Sequence, residues 1–403
     1  MMQKNTKVLV AMSGGVDSSV AALLMKNKGY EVVGAFMKNW SDTKDPLSGE
    51  CTWREDKRVA LKIAAKLGIP LITLDFEKEY RRQVVDEMFK KYQRGITPNP
   101  DIDCNQKVKF PLLWKAAEKL GADYVVTGHY ARISVKRVVN NKSNLKLNDK
   151  KVNSYVNNKY QSANAAPRAS AKESEQHYKY QLLRARDESK DQSYFLYRLS
   201  EFDLSHTLFP IGNFTKKEVR KIAEKAGFQN FNRKSTVGIC FIGKVNLKKF
   251  LQKKIKPKLG KILNPEGKQI GEHDGIYYYT IGQRIGPRFG IDIDRGNEKN
   301  VEKWYVAIKD IRTNMIIAAP ENHPLNFRKE ITIKEPHWIE KRPKTGKVFS
   351  RIRQVGELLP STLKYSNGKY KVTLNKAITG TAEGQAIVLY EGKRVLGGGV
   401  ISF

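Results

Sequence analysis

A doubly wound parallel α/β domain, then a small mixed domain and a C-terminal β-barrel, is the architecture this chain predicts. Three observations carry that expectation. Over the first 130 residues, short apolar runs alternate with stretches of helical period, the pattern of a parallel sheet covered by helices. A glycine–serine turn joins the first run to the first helix, at the strand end where such sheets bind ligands. Beyond residue 304 the texture changes to closely spaced strands with hairpin cues.

The elements follow in order. Residues 7–12 (KVLVAM) read as a strand, 18–28 (SSVAALLMKNK) as a small-residue helix closed by Gly29, and 30–37 (YEVVGAFM) as a second strand. Residues 55–67 place Val59, Ile63 and Leu67 on one helical face, with Gly68 as the stop. Residues 71–76 (LITLDF) predict a third strand, 77–94 a long charged helix, 110–120 another helix and 123–127 (DYVVT) a further strand. Residues 135–177 lose all period and are rich in Asn, Ser and Lys, so the expectation there is a disordered surface insertion. From Phe209, FPIGNFTKKEVRKIAEKAGF predicts a turn and an amphipathic helix capped around Thr215. Residues 244–261 hold eight lysines and no acid, with Leu247, Phe250 and Leu251 on one helical face; phosphate contact is expected of those lysines. WYVAIKDI, EITIKEPHWI, KVFSRIRQV, LKYSNGKYKVTL and GQAIVLYEGKRVLGGGVI supply about six strands, with SNGK as a hairpin turn. The expected division is 1–205, 206–300 and 301–403.

At 403 residues the chain exceeds one ordinary core. Lys plus Arg outnumber Asp plus Glu by 74 to 41, a net charge of +33 that repels itself unless a polyanion offsets it. Nucleic acid or an anionic membrane surface is therefore the expected partner, and a nucleic-acid-facing protein is the starting reading. The mean hydropathy is −0.55, and no apolar run approaches the ~18 residues of a membrane span. The opening residues lead straight into a strand with no apolar leader, so a cytoplasmic location is expected. Three cysteines (Cys51, Cys104, Cys240), none in a CxxC pair, exclude a disulfide scaffold and argue against structural zinc; no resident metal is expected.

Chemistry concentrates at three places. Ser13-Gly14-Gly15-Val16-Asp17-Ser18-Ser19 follows the first strand and opens the first helix. Glycines admit a phosphate close to the backbone, and a helix start points free N–H groups at an anion. Asp17 is suited to organising the turn or helping to hold Mg²⁺. The GK[ST] ending of a Walker loop is absent. The turn resembles the PP-loop of the ATP pyrophosphatases, which cleave ATP to AMP and pyrophosphate while adenylating a carbonyl oxygen. The second place is the stretch from Thr97 to Asn105 (TPNPDIDCN), where two prolines are expected to hold the residues away from helix. Its Cys104 has Asp101 three residues before it and Lys107 three after, which suits either an activated or an inert thiol. The third is Cys240 in GICFIG, by itself a buried structural cysteine. A nucleotide loop together with two isolated thiols suits sulfur transfer: an activated carbonyl needs a nucleophile, and a cysteine persulfide is a strong one.

SGGVDSS, GAFMKNW, TPNPDIDCN followed by KVKF, ADYVVTGHYAR, KDQSYFLY, FPIG, GICFIG, YTIGQRIG and the terminal LGGGVI together resemble the tRNA-specific 2-thiouridylases, across nearly the whole chain outside 135–177. The resemblance implies an AMP-forming enzyme that adenylates the C2 oxygen of the wobble uridine, position 34 of tRNA, and replaces it with sulfur. It implies ATP with Mg²⁺ as cosubstrate, tRNA and a persulfide donor (a cysteine desulfurase or sulfur carrier) as partners, no membrane, and a monomer. Cys240 matches the persulfide-bearing cysteine, Cys104 the thiol that completes release, and Asp101 the general acid/base. Ala11, Met12, Ser13, Gly14, Gly15, Val16, Asp17, Ser18, Met37 and Gly128 match ATP-binding positions. Asn99, Pro100 and Asp101 match the target-base loop; Lys190, Asp191, Gln192, Arg351 and Ile352 match tRNA contacts.

The chain departs from the family pattern in three places: Ser235 replaces an acid, Ile352 an aromatic, and Glu383 a proline. Two alternatives stand beside this reading: another PP-loop enzyme, including a different tRNA sulfurase, and a noncatalytic tRNA-binding protein. The intact SGGVDSS turn and both thiols argue against the second.

Overall fold

The structure is a computed structural model. It describes residues 6–42, 51–138, 177–233, 240, 242, 246–287, 291, 293–294, 302–354 and 356–403.

The N-terminal part is a five-stranded parallel sheet. Its strands are β1 (Lys7–Ala11), β2 (Glu31–Lys38), β3 (Leu71–Asp75), β4 (Tyr124–Val126) and β7 (Thr207–Leu208), in the order β3-β2-β1-β4-β7. The strand order turns back between β1 and β4, so their carboxyl ends open the crevice where such sheets take ligands. Both faces are covered. Val8 and Val10 pack toward helices α1 (Val16–Asn27) and α2 (Thr52–Leu67), while Leu9 and Val125 pack toward Leu113 and Ala117 of the helix at Phe110–Lys119. Gly68 closes α2 in the left-handed region at φ 58°, as its sequence position predicts. The long helix of residues 77–93 carries an i→i+5 turn at Arg81–Val85.

Two strands depart from the sequence expectation. β5 (Ala131–Val138) and β6 (His177–Arg184) form an antiparallel hairpin running from Ala131↔Arg184 to Val138↔His177. Ordered backbone therefore extends beyond Val135, where the insertion was expected to begin. Ala131, Ile133 and Val135 alternate with Arg132, Ser134 and Lys136, a period-2 signal hidden by the polar composition. Residues 139–176, the bulk of that insertion, lie outside the described residues, as do 234–239 with Ser235.

A second sheet holds β8 (Gly260–Leu263), β9 (Gln269–His273), β10 (Arg284–Ile285), β11 (Trp304–Asp310) and β12 (Met315–Pro320), in the order β10-β11-β12-β8-β9. WYVAIKDI, expected to begin the barrel, is β11 of this sheet instead: it pairs with β12 and β10, a partnership that strand propensity alone does not encode. The barrel proper is six strands, β13 (Phe327–Trp338), β14 (Gly346–Arg351), β15 (Leu359–Ser366), β16 (Lys369–Thr379), β17 (Ala386–Glu391) and β18 (Arg394–Ser402). The ring β13-β16-β15-β14-β17-β18 closes through β13–β18 pairing, which removes its edges. Asn367 (φ 50°) and Gly368 (φ 74°) make the two-residue hairpin turn that SNGK predicts. β6 attaches to this barrel through Leu183↔Arg394.

One core cluster joins Tyr80, Val84 and Cys104 of the first domain to Ile242, Phe250, Ile262 and Val306. Another joins Ile102, Phe110 and Tyr194 to Val388 and Tyr390 of the barrel. The helical stretch from Pro100 onward thus sits where all three parts meet. Among the described residues no helix is long and apolar enough to cross a membrane.

Candidate active site

The turn after β1 is tied down from both sides. The Met12 amide donates to the Ala35 carbonyl (2.8 Å), which fixes the end of β1 against β2. Gly14 has φ 76°, and a Cβ there would stand 2.4 Å from the Asp56 carbonyl oxygen, so only glycine fits. Gly15 is the N-cap of α1 and brings no side-chain acceptor, which leaves the first-turn amides facing outward for an anion. The Ser13 amide donates to Ser18 Oγ (3.2 Å), and Ser18 and Ser19 hydroxyls each donate to the Gly15 carbonyl at 3.0 Å. Gly128 closes the cradle: a Cβ there would lie 2.7 Å from the Ser18 nitrogen. Met37 is buried at the end of β2, and Ala11 ends β1. Asp17 accepts from Lys216 Nζ (2.7 and 2.8 Å) and the Tyr130 hydroxyl (2.9 Å). Burial, then the Asp17 charge, pushes the Tyr130 phenol far above its ordinary range.

The second centre starts with a correction. Residues around Cys104 were expected to stay out of helix because of two prolines. Instead Pro100–Cys104 is helical, with Pro100 in the first turn, where its missing N–H costs nothing, and Asn99 as N-cap accepting from the Ile102 amide (3.4 Å). Asp101 and Cys104 therefore share one helical face. The following i→i+5 turn, Asn105–Lys109, returns Lys109 toward that face. Lys107, the cation singled out by sequence spacing, pairs instead with Asp103 (3.0 Å).

Cys240 comes to this face from 136 positions further along the chain. Its amide donates to Asp101 Oδ1 (2.8 Å), and its carbonyl accepts from the Tyr80 hydroxyl. Its sulfur shares a hydrogen bond with Cys104 and lies 3.8 Å from Lys109 Nζ. The two thiols are driven apart electrostatically. Burial, reinforced by Cys240, pushes Cys104 well above the usual thiol range. The hydrogen bond from Cys104, aided by the Lys109 ammonium, pulls Cys240 below it despite burial. Burial also raises the Asp101 carboxyl, more than the Cys240 amide and Lys109 lower it. Burial pulls Lys109 down, but the facing Cys240, Cys104 and Asp101 outweigh it and hold the ammonium in its charged form.

The Thr127–Tyr130 backbone after β4 links the two centres. Gly128 lies on the phosphate turn and Tyr130 bonds Asp17, while between them His129 faces Lys109. Burial, then Lys109, keeps His129 neutral; its Nδ1 is 2.8 Å from Thr127 Oγ1 and its ring stacks on Phe110. Lys109, Tyr80 and His129 were not singled out from the sequence. KVKF and GHY contain two of them, but nothing local says which thiol they face.

The stretch before Asp101 is gripped by the other two parts. Gln385 donates to the carbonyls of Thr97 (3.1 Å) and Pro98 (2.9 Å), and the Thr97 amide donates to the Glu383 carbonyl. Thr280 Oγ1 lies 3.3 Å from Thr97 Oγ1, and Lys309 donates to the carbonyls of Gly95 and Tyr279.

The expected tRNA contacts divide. Lys190 is exposed, whereas Gln192 is half-buried and accepts from the Tyr130 amide (2.9 Å). Asp191, Arg351 and Ile352 are 1%, 4% and 6% exposed, so as placed they offer no surface to a tRNA. Asp191 instead accepts from the Ala185 and Ser193 amides and pairs with Arg184 (3.4 Å) and Arg351 (2.9 Å), a buried strut between the first domain and the barrel. Of the lysine-rich run, Lys248 pairs with Asp274 and Lys254 with Asp86, so those two serve packing of the chain itself. Cys51 donates its thiol to the Ser41 carbonyl (3.1 Å).

Comparison with known proteins gives a consistent result. Residues 6–244 match the tRNA methyl transferase HUP domain, 248–320 the tRNA methyl transferase PRC-barrel domain, and 328–401 the aminomethyltransferase beta-barrel domain. The chain is 39% identical to the tRNA-specific 2-thiouridylase MnmA of Pediococcus pentosaceus, over 98% of this chain and 95% of that one. It is 39% identical to the protein of that name from Coxiella burnetii, over 99% of both chains. It is 38% identical to the one from Flavobacterium johnsoniae, over 98% of this chain and all of the other.

Proposed function

The chain belongs to the tRNA-specific 2-thiouridylase family, and we propose that its phosphate turn and its two-thiol centre carry out successive halves of one reaction on the wobble uridine. It is a tRNA sulfurtransferase that forms 2-thiouridine in an ATP-dependent, AMP-forming reaction. ATP enters as its Mg²⁺ complex, with its phosphates on the Ser13–Ser18 turn and its nucleoside toward Met37 and Gly128. The uridine C2 oxygen attacks the α-phosphorus and pyrophosphate leaves toward the amides of α1, whose partial positive charge favours it. The base reaches the site by leaving the anticodon stack, which a single-stranded loop permits at modest cost.

Sulfur follows. A persulfide on Cys240 attacks C2, a C–S bond forms, and AMP departs with the C–O electron pair. Cys104 then attacks the Cys240 sulfur; the new Cys104–Cys240 bond frees the outer sulfur as the C2 thiocarbonyl. A thiol reductant must later reopen that disulfide. Asp101, with its carboxyl raised by burial, handles the proton at this step. The observation that supports this reading is the convergence of half-buried Asp101, buried Cys104 and half-buried Cys240 on one face although two come from one helix and the third from a distant loop. A cytoplasmic monomer charged by a cysteine desulfurase or sulfur carrier fits the same reading.

The test is incubation of the protein with ATP, Mg²⁺, sulfide and unmodified tRNA, with AMP and modified nucleosides followed by mass spectrometry. AMP formed only with tRNA, together with 2-thiouridine at position 34, is expected. A folded, tRNA-binding protein that makes neither product overturns the reading.

A further inference from the structure

Two cysteines joined by one S–H···S hydrogen bond are chemically alike, and that bond by itself does not decide which sulfur keeps the proton. Their surroundings decide. The groups facing Cys240 are Cys104 and Asp101 from the Pro100–Cys104 helix, Lys109 from the turn after it, and Tyr80 from the helix of residues 77–80. Asp101 directs its oxygen to the Cys240 amide, and a negative charge on it opposes a thiolate. Tyr80 spends its hydroxyl on the Cys240 carbonyl. Lys109 is the cation among the described groups facing that sulfur, at 3.8 Å, within a core where a charge is little screened. Cys104 is wholly buried, and Lys109 acts on it through its charge alone, whereas Lys109 also hydrogen-bonds the Cys240 sulfur.

We propose that Lys109 is a positioning residue that assigns the order in which the two thiols act, holding Cys240 as the thiolate and leaving the proton on Cys104. This inference rests on the 2-thiouridylase reading and adds to it a reason why Cys240, rather than Cys104, is charged with sulfur. The Cys240 thiolate attacks the outer sulfur of a donor persulfide; the new S–S bond forms on Cys240. The donor's own S–S bond breaks, its electron pair leaves on the donor thiolate, and no net oxidation occurs. Cys104, still protonated, cannot compete for that sulfur and remains available for the later attack.

The experiment is the pH profile of thiol alkylation by iodoacetamide on the full chain, read peptide by peptide by mass spectrometry, for the wild type, Lys109→Met, Lys109→Arg and Cys104→Ala. In the wild type Cys240 reacts at a lower pH than Cys104. Lys109→Met is expected to move the Cys240 profile up by a unit or more, slowing labelling at pH 7 by ~10-fold, while Lys109→Arg keeps the wild-type order. A folded Lys109→Met protein with an unchanged Cys240 profile overturns the proposal. If Lys109→Met does not fold, Cys104→Ala decides: with Lys109 present the Cys240 profile stays low, and a return to the ordinary thiol range shows that the hydrogen bond alone held it. Charging with glutathione persulfide gives a second readout, sulfane sulfur on the Cys240 peptide in the wild type and divided between both cysteine peptides in Lys109→Met. Neither measurement uses ATP or tRNA, so a failed thiolation assay and a failed profile are told apart.

Discussion

The phosphate turn and the thiol centre are neighbours in space but opposites in construction. The turn is one contiguous stretch whose own residues carry most of its shape, a glycine at φ 76°, a cap without a side chain, and serines that bond the backbone within five positions, with Asn230 bracing the Gly14 carbonyl from outside. The thiol centre has no local definition. Asp101 and Cys104 lie on a short helix, Lys109 on a distorted turn beyond it, Tyr80 on another helix and Cys240 on a loop far along the chain. The first is a motif that a backbone dictates; the second exists only once the first domain has closed on the central one. The contrast predicts that damage to the two will have different signatures.

The largest effect is expected at Cys240. Cys240→Ser should abolish 2-thiouridine while tRNA-stimulated AMP formation persists, because only the second half-reaction loses its nucleophile; parallel assays of the two products check this. Gly14→Ala should reduce both products together. A methyl group 2.4 Å from the Asp56 carbonyl forces the turn to move, and displacement of an anion site by ~1 Å costs on the order of 10²-fold in rate. If Gly14→Ala spared AMP formation, the turn would not be the ATP site.

Three smaller effects test what fastens the two centres to the rest of the fold. Asp191→Asn leaves buried Arg351 without its carboxylate and Arg184 with the exposed Glu188, a loss of ~3 kcal/mol in stability by urea titration, with tRNA affinity of the folded fraction unchanged. A selective rise in tRNA dissociation constant at full stability would restore a direct contact there. Lys309 is lowered by burial to about 8, so its sign is opposite to that of a salt-bridged lysine. Below that pH the folded state carries a buried ammonium at a penalty; as pH rises toward the unfolded value near 10.5 the penalty is relieved. Wild type should therefore gain up to ~2 kcal/mol relative to Lys309→Met between pH 8 and 10, seen in urea midpoints at the two pH values. Gln385→Ala removes two donors from the Thr97 and Pro98 carbonyls and should cost ~1 kcal/mol, with a modest loss of thiolation rate and normal Cys240 alkylation.

The same contrast explains what was legible in the sequence. Strands β1 to β4 of the first sheet, the capped helix at Thr215 and the SNGK hairpin are encoded by period, cap and turn residues within a few positions, and they fold as expected; the two-residue β7 carries no such signal and was not expected. The helix at Pro100 was missed because two prolines look prohibitive, although one of them occupies the helical position that tolerates it and Asn99 supplies the cap. β11 was assigned to the barrel because a strand's composition does not name its partner. Asp191 and Arg351 were expected as tRNA contacts through the family resemblance alone; their burial depends on an ion pair across 160 positions, which no local pattern announces. Asp101, Cys104 and Cys240 were reached through family resemblance, and Lys109, which faces both thiols, lay unmarked five residues after Cys104.

The most direct test of the account follows one sulfur atom. The protein is loaded with ³⁴S persulfide on Cys240, freed of excess donor, and mixed with ATP, Mg²⁺ and unmodified tRNA in a single turnover read by mass spectrometry. The account predicts that the label leaves the Cys240 peptide, arrives in 2-thiouridine at the wobble position in step with AMP, and leaves a Cys104–Cys240 disulfide behind. Label retained on Cys240 while thiouridine forms, or AMP released with no sulfur moved, would contradict it.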